Sequence, residues 1–206
     1  MLRIIYLFAI LFFIILGAGC SIPRPPSIPM SDLPKSPAYS THTKHLIATA
    51  LALSKRRLGY RFGASNPRSG AMDCSGTIQY LLKRTASIHS PRDARDLYLW
   101  VEEDGRLHPV HAYHFSSPQF RALRPGDLLF WTGTYFTHRK PPITHVMLYL
   151  GKNKEDRPLM FGSTTGSYHG REVRGVGVFD FILPERGDRA HFVGYGCIPG
   201  YTCRFT

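Results

Sequence analysis

The order of its segments predicts an α+β fold, with helices packed on an antiparallel sheet. Two observations carry this. The runs with helical periodicity all lie before about residue 104, and the short β-prone runs punctuated by Gly, Pro or charged turns all lie after about 126. Helices first and strands afterwards is not the regular alternation of a βαβ chain, so a meander of strands beneath one helical layer is expected.

The chain opens on Met1-Leu2-Arg3, followed by the unbroken apolar run Ile4 to Leu16 and then Gly17-Ala18-Gly19-Cys20. That run is shorter than the ~20 residues a membrane-spanning helix needs and follows a basic start, as a signal-peptide core does. Small residues just before a cysteine resemble a bacterial lipobox, although Gly17 stands where that pattern usually has leucine. Residues 1–19 are therefore expected to be a lipoprotein signal peptide, with Cys20 lipidated. An ordinary cleaved signal and a retained anchor helix are the alternatives. Ser21, in place of a retention aspartate, points to an outer-membrane lipoprotein facing the periplasm.

Residues 20–41 hold six prolines. Proline excludes interior helix and central strand, so an extended tether is expected here. Residues 42–206 are then one domain of ordinary size. The net charge of +12 favours anionic partners. Export excludes nucleic acid and leaves the cell wall and the membrane, reached through the lipid anchor.

The first helix is expected from Thr41 or Thr43 to just before Gly59, on the spacing of apolar residues in LIATALALSKRRL. After the turn-prone GYRFGASNPRSGAMD, Cys74 opens a second helix, with Asp73 at its N-cap and Ile78, Leu81 and Leu82 on one face. DARDLYLWVEE (93–103) predicts a third. Strands are expected at 127–131, 143–150, 158–163, 176–182 and 190–196.

Four cysteines are present. Cys197 and Cys203 flank a Pro-Gly turn and make a plausible disulfide in an oxidising compartment. With Cys20 lipidated, Cys74 is left unpaired. A thiol at a helix N-terminus meets free backbone N–H groups and the positive end of the dipole, both of which favour thiolate. Gly76 beside it would leave room for substrate. His145, near the start of a strand run, is the candidate base, and the pairing of such a histidine with a helix-opening cysteine is what distinguishes it from a structural histidine.

Four ordered blocks carry a family resemblance: Tyr60-Arg61-Phe62-Gly63, Met72-Asp73-Cys74-Ser75-Gly76, Arg124-Pro125-Gly126-Asp127-Leu128-Leu129-Phe130-Trp131, and Thr144-His145-Val146-Met147-Leu148-Tyr149-Leu150-Gly151. Their order and spacing resemble the NlpC/P60 cell-wall peptidases. The resemblance implies a papain-like α+β fold and cysteine-dependent hydrolysis of peptidoglycan stem peptides, commonly between γ-D-glutamate and diaminopimelate. It assigns Cys74 as nucleophile, His145 as base and Tyr60 as the aromatic whose hydroxyl lies by the nucleophile. It also gives Asp73 and Ser75 as substrate neighbours. No cofactor or metal is implied.

One departure stands out. The family's polar residue that orients the base falls, by this alignment, on Phe161. Ser163 on the same face and His169 beyond it are the candidate replacements, alongside a backbone or water partner. Retention of fold without strong activity, as a wall-binding lipoprotein, is the alternative. An N-acetylmuramoyl-L-alanine amidase or a D,D-endopeptidase would use the same cysteine and histidine.

His108, His111 and His114 recur every three residues, but Pro109 interrupts them and no acidic or cysteine partner follows at metal-site spacing, so they are expected in a loop. That insertion (105–120) and the loop 132–142 are expected to wall the groove, where Arg139 and Lys140 would meet substrate carboxylates. Tyr98, Trp100, Trp131 and Tyr135 are expected in the core. Oligomeric state stays open.

Overall fold

The computed structural model describes residues 21–33 and 39–201. Cys20, Cys203 and the expected signal peptide 1–19 lie outside the described residues.

Helix α1 (Thr41–Ser54) begins where Ser40 Oγ accepts the Thr43 N–H at 3.1 Å. Two short strands follow, β1 (Gly59–Tyr60) and β2 (Ala71–Met72), paired parallel. Helix α2 (Cys74–Ala86) starts directly after β2 and ends at Ser87 in left-handed conformation, and α3 (Ala94–Glu103) is capped by Asp93. The remaining strands are β3 (Leu107–Pro109), β4 (Leu128–Thr132), β5 (Ile143–Lys152), β6 (Pro158–Tyr168), β7 (Arg171–Asp180) and β8 (His191–Gly196). They form one six-stranded antiparallel sheet in the order β3-β8-β4-β5-β6-β7. The α+β expectation is therefore observed, with the six strands of the main sheet after the helices and the short β1 and β2 between α1 and α2.

Side chains alternate across the sheet, and this alternation separates two cores. Val146, Leu148, Leu150, Phe161 and Val178 face the helices and pack with Ile47, Ile78 and Leu97. Leu129, Trp131, Met147, Tyr149, Phe179 and Tyr195 face the other way. The insertion after α3 covers this second face: Val110, Phe115 and Phe120 pack on it, and Tyr195 donates to the Gln119 carbonyl at 2.8 Å. Its role is thus to close the outer core. His108 stacks on Tyr195 and His114 bonds Ser116. Among the described residues no cluster of His, Cys, Asp or Glu is arranged to hold a metal ion.

Strands β6 and β7 run well past their apolar stretches, because a continuous ladder from Leu159↔Asp180 to Tyr168↔Arg171 holds their polar ends. His169 and Gly170 close the hairpin, both at positive φ, as a two-residue turn of matching twist requires.

The described part of the proline-rich segment is extended up to a 3-10 turn at Met30–Asp32, but it is not a free tether. Residues 23–26 run as a strap along β7, and the chain then crosses to α1, where Ser27 Oγ donates to the Leu51 carbonyl at 3.3 Å. Arg174 N–H donates to the Pro23 carbonyl at 2.9 Å and Val178 N–H to that of Pro26 at 3.4 Å, while Ile28 and Leu33 are buried in the helix-side core. Proline lacks the N–H but keeps the carbonyl, so it can accept from a sheet edge that it cannot donate to. Cys197 is disulfide-bonded. No described helix is long and apolar enough to cross a membrane.

Candidate active site

A cleft of about 1430 Å³ opens where the N-terminus of α2 meets the start of β5, and Cys74, His145 and Tyr60 all line it. The turn 61–66 and β2 set the position of Cys74. Asp73 N–H donates to the Ala64 carbonyl at 2.8 Å, and its carboxylate accepts from Gly76 N–H at 2.6 Å and Gly63 N–H at 2.8 Å. Arg92 adds a bidentate pair to the same carboxylate at 3.1 and 2.7 Å and reaches Ser75 Oγ at 2.9 Å. Asp73 is thus at once helix cap and counter-ion, and it is buried.

Gly76 is not among the residues that line the cleft. A Cβ there would stand 2.6 Å from the Ala64 carbonyl and 2.9 Å from Ser65 Cα, so the glycine is required by the close approach of the turn to the helix. Asp73 and Ser75 do line the cleft, but with polar atoms already engaged by Arg92.

The thiol departs from the thiolate expected at a helix N-terminus. Cys74 is only 8% exposed, and burial, reinforced by the charge of Asp73, pushes its pKa up to about 11. The Val146 and Ser75 backbone donors and the Ser75 hydroxyl lower it only in part. Removing the sulfur from water outweighs the helix-end donors. His145 keeps some surface on the cleft, yet the dense surroundings pull its pKa down to about 4, with the field of Asp73 opposing. The resting pair is therefore neutral thiol and neutral imidazole. Tyr60, half-buried, has its phenol raised by burial and by its neighbours Cys74 and Asp73, so it stays a hydrogen-bond donor.

The expected orienters of His145 are not beside it. Phe161 and Ser163 do share a face, but it is the helix-side face with Leu148. Phe161 is fully buried there, and Ser163 donates to the Met72 carbonyl at 2.7 Å, tying β6 to β2 just ahead of Cys74. His169 sits in the exposed hairpin turn, bonded to Arg157. Met147 is two residues from His145 on its own face, and the neighbour there on β6 is Gly162, where a Cβ would meet Met147 Sδ at 2.4 Å. Methionine therefore fills the space that a side chain on β6 would need, and the ring of His145 rests instead against Trp131, 5.7 Å between centroids.

The loop 132–142 does wall the cleft, through Gly133, Thr134, Tyr135 and Arg139. The other wall is the segment 182–190, whereas residues 105–120 take no part in the lining. Arg139 is engaged by Asp93 and Asp96 at the start of α3, and Arg95 holds the Lys140 carbonyl, so the loop is latched to that helix. Trp131 is core as expected and Tyr98 and Trp100 pack against the helix-side core, but Tyr135 stands at the rim against the exposed Phe62. Sequence reasoning passed over Arg92, Asp93 and Arg174. The first two follow Pro91 ahead of an apolar helix, and capping preference alone singles out Asp93.

The profile described as NlpC/P60 family matches residues 57–168. A gamma-DL-glutamyl hydrolase of Bacillus subtilis (strain 168) is 30% identical over 95 residues, 46% of this chain and 18% of that protein. The chain thus spans under a fifth of that relative's length. A crystal structure from Staphylococcus aureus subsp. aureus Mu50, described as similar to lipoprotein, NLP/P60 family, aligns at 23% identity with a TM-score of 0.49, over 80% of this chain and 44% of that one.

Proposed function

Because the chain belongs to the NlpC/P60 family, we propose that it is a cysteine peptidase acting on peptidoglycan stem peptides, cutting the bond between γ-D-glutamate and diaminopimelate. The observation that carries this reading is that a cysteine opening α2 and a histidine opening β5 line one cleft. The name of the Bacillus subtilis relative, a gamma-DL-glutamyl hydrolase, supports the choice of bond.

In this mechanism His145 takes the thiol proton as Cys74 Sγ attacks the scissile carbonyl. Deprotonation must accompany attack, since a thiol of pKa about 11 is thiolate in only about one part in ten thousand at pH 7. The oxyanion is met by the Cys74 N–H and the Tyr60 hydroxyl. Collapse breaks the C–N bond, His145-H⁺ protonates the departing amine, and water then hydrolyses the thioester with His145 again as base. Substrate that fills the cleft displaces water and brings the amide to the buried sulfur.

We place the protein at the outer membrane, facing the periplasm and anchored through Cys20. The apolar run ending in Gly-Ala-Gly-Cys supports this reading. A second reading, a wall-binding protein with weak catalysis, draws on the Met147 and Gly162 arrangement, which leaves His145 without a polar orienter among the described residues. Digestion of purified muropeptides by the wild type and by Cys74→Ala, with products identified by mass, separates the two. Cys74-dependent release at the glutamate to diaminopimelate bond is the expected result; binding without any product favours the second reading.

A further inference from the structure

We propose that Arg174 recognises the free α-carboxylate of the γ-linked acyl residue, and so fixes which way the peptide lies in the cleft. The proposal deepens the stem-peptide reading above and rests on it for the identity of the ligand.

The charges around the cleft are unequal in what they have left to offer. Arg92 is taken up by Asp73 and Ser75, Arg139 by Asp93 and Asp96, and Arg189 donates to the Thr134 carbonyl. Arg174 also lines the cleft and is exposed, yet its guanidinium has no ion pair or hydrogen-bond acceptor among the described residues. Its one described neighbour is the ring of Tyr60, whose centroid lies 5.8 Å from the guanidinium carbon. Tyr60 in turn lies close enough to Cys74 for the sulfur's charge to raise its pKa. On the 182–190 wall the Asp188 carboxylate accepts the Glu185 backbone N–H at 2.9 Å.

Arg174 is also firmly mounted. It pairs with Thr165 of β6, its N–H donates to the Pro23 carbonyl at 2.9 Å, and its carbonyl accepts from Arg24 Nη1 at 3.2 Å. The next residue, Gly175, approaches β1 so closely that a Cβ would lie 2.4 Å from the Leu58 carbonyl, and it holds φ +136°. The strap and the β1 junction therefore fix the backbone on either side of this cation. A planar guanidinium held in place binds a carboxylate through two parallel hydrogen bonds, which a lysine ammonium cannot reproduce.

The chemistry of a γ-glutamyl bond supplies the complement. Its acyl residue keeps a free α-carboxylate some four bonds, or about 5 Å, from the scissile carbon. An α-linked glutamate also carries a carboxylate four bonds away, but with its amino-bearing carbon next to the scissile carbonyl, whereas α-amidation of the γ-linked residue removes the anion altogether. The proposed pose puts the carbonyl carbon at Cys74 and the carboxylate beside Arg174, whose guanidinium lies over Tyr60 in the same cleft. Arg174 lies on β7, beyond the stretch 57–168 that matches the family.

The test uses the full chain, wild type and Arg174→Gln and Arg174→Lys, against matched peptides carrying either the free α-carboxylate or its amide at the γ-linked residue. Hydrolysis is followed for each, and binding is measured in parallel on Cys74→Ala proteins with and without the Arg174 change. The wild type is expected to favour the free acid about tenfold to a hundredfold in kcat/KM, mainly through KM. Arg174→Gln should erase that preference without shifting the melting temperature, and Arg174→Lys should restore part of it. Equal handling of acid and amide by the wild type, or a preference that survives Arg174→Gln, would overturn the proposal. If nothing is cleaved but binding still prefers the acid in an Arg174-dependent way, the hydrolase reading fails and carboxylate recognition stands.

Discussion

On the helix side of the cleft, the Asp73 carboxylate accepts two backbone N–H groups and both ends of a guanidinium, and Arg92 also holds Ser75. On the strand side, the His145 ring rests against an indole, and two residues along the strand Met147 fills the space beside Gly162. Directional polar bonds, which lose strength over a few tenths of an ångström, hold the thiol in place. Among the described residues no hydrogen-bond partner holds the imidazole, and a ring held by packing has neither tautomer nor tilt specified by a partner. On the mechanism proposed above, a thiol so firmly mounted beside an imidazole so loosely held would make proton transfer, rather than placement of the sulfur, the sensitive step.

The sharpest way to break this contrast is the pH dependence of Cys74 alkylation in the substrate-free protein. With the thiol pKa raised to about 11 and the imidazole lowered to about 4, the thiolate fraction grows with pH throughout the accessible range. Alkylation by iodoacetamide should rise about tenfold per pH unit from 7 and keep climbing beyond pH 9, where an ordinary thiol begins to level off. A plateau reached near pH 7 would instead reveal a thiolate and imidazolium pair, and the two walls would then be coupled.

Next in size is Asp73→Ala, which removes the α2 cap and leaves Arg92 and two backbone donors without their acceptor. Arg92 is about one-third exposed and can turn to water, so the cost is discounted to about 2–3 kcal/mol in urea unfolding, with hydrolysis falling as the sulfur loses its mounting. A change below about 0.5 kcal/mol would mean that the helix wall, too, is held mainly by packing.

The smallest effect concerns the strand wall. Gly162→Ala is expected to cost about 1–2 kcal/mol through overpacking against Met147, and in the background of Met147→Ala, itself costly because it empties a fully buried site, that added cost should largely vanish. Additive losses in the double variant would show that the two residues do not share that space.

Much of the helix wall is legible in the linear chain. An aspartate before Cys74-Ser75-Gly76 and an apolar stripe at Ile78, Leu81 and Leu82 announce a capped helix with cysteine at its first turn, because capping and periodicity act over only a few residues. The strand wall is legible only as far as the strand. Alignment of LMFGS puts Phe161 beside the base, whereas the ladder Leu148↔Phe161 turns Phe161 and Ser163 toward the helices and brings Gly162 to the other face. A single-residue difference in register exchanges every side chain between faces, and no local signal sets that register. The strap is hidden for a related reason, since proline content excludes regular structure but says nothing about where an extended segment comes to rest.

What the sequence determined by itself is therefore the local chemistry: a helix-opening thiol capped by Asp73, a histidine in a β-prone run, and the order of helices and strands. Tertiary structure alone decided that burial overrides the helix dipole at the sulfur, that Met147 occupies the space next to Gly162, and that Arg174 reaches the cleft beside Tyr60. Each of these depends on which distant segments share a surface, and desolvation, packing and ion pairing act through space between residues far apart in the chain.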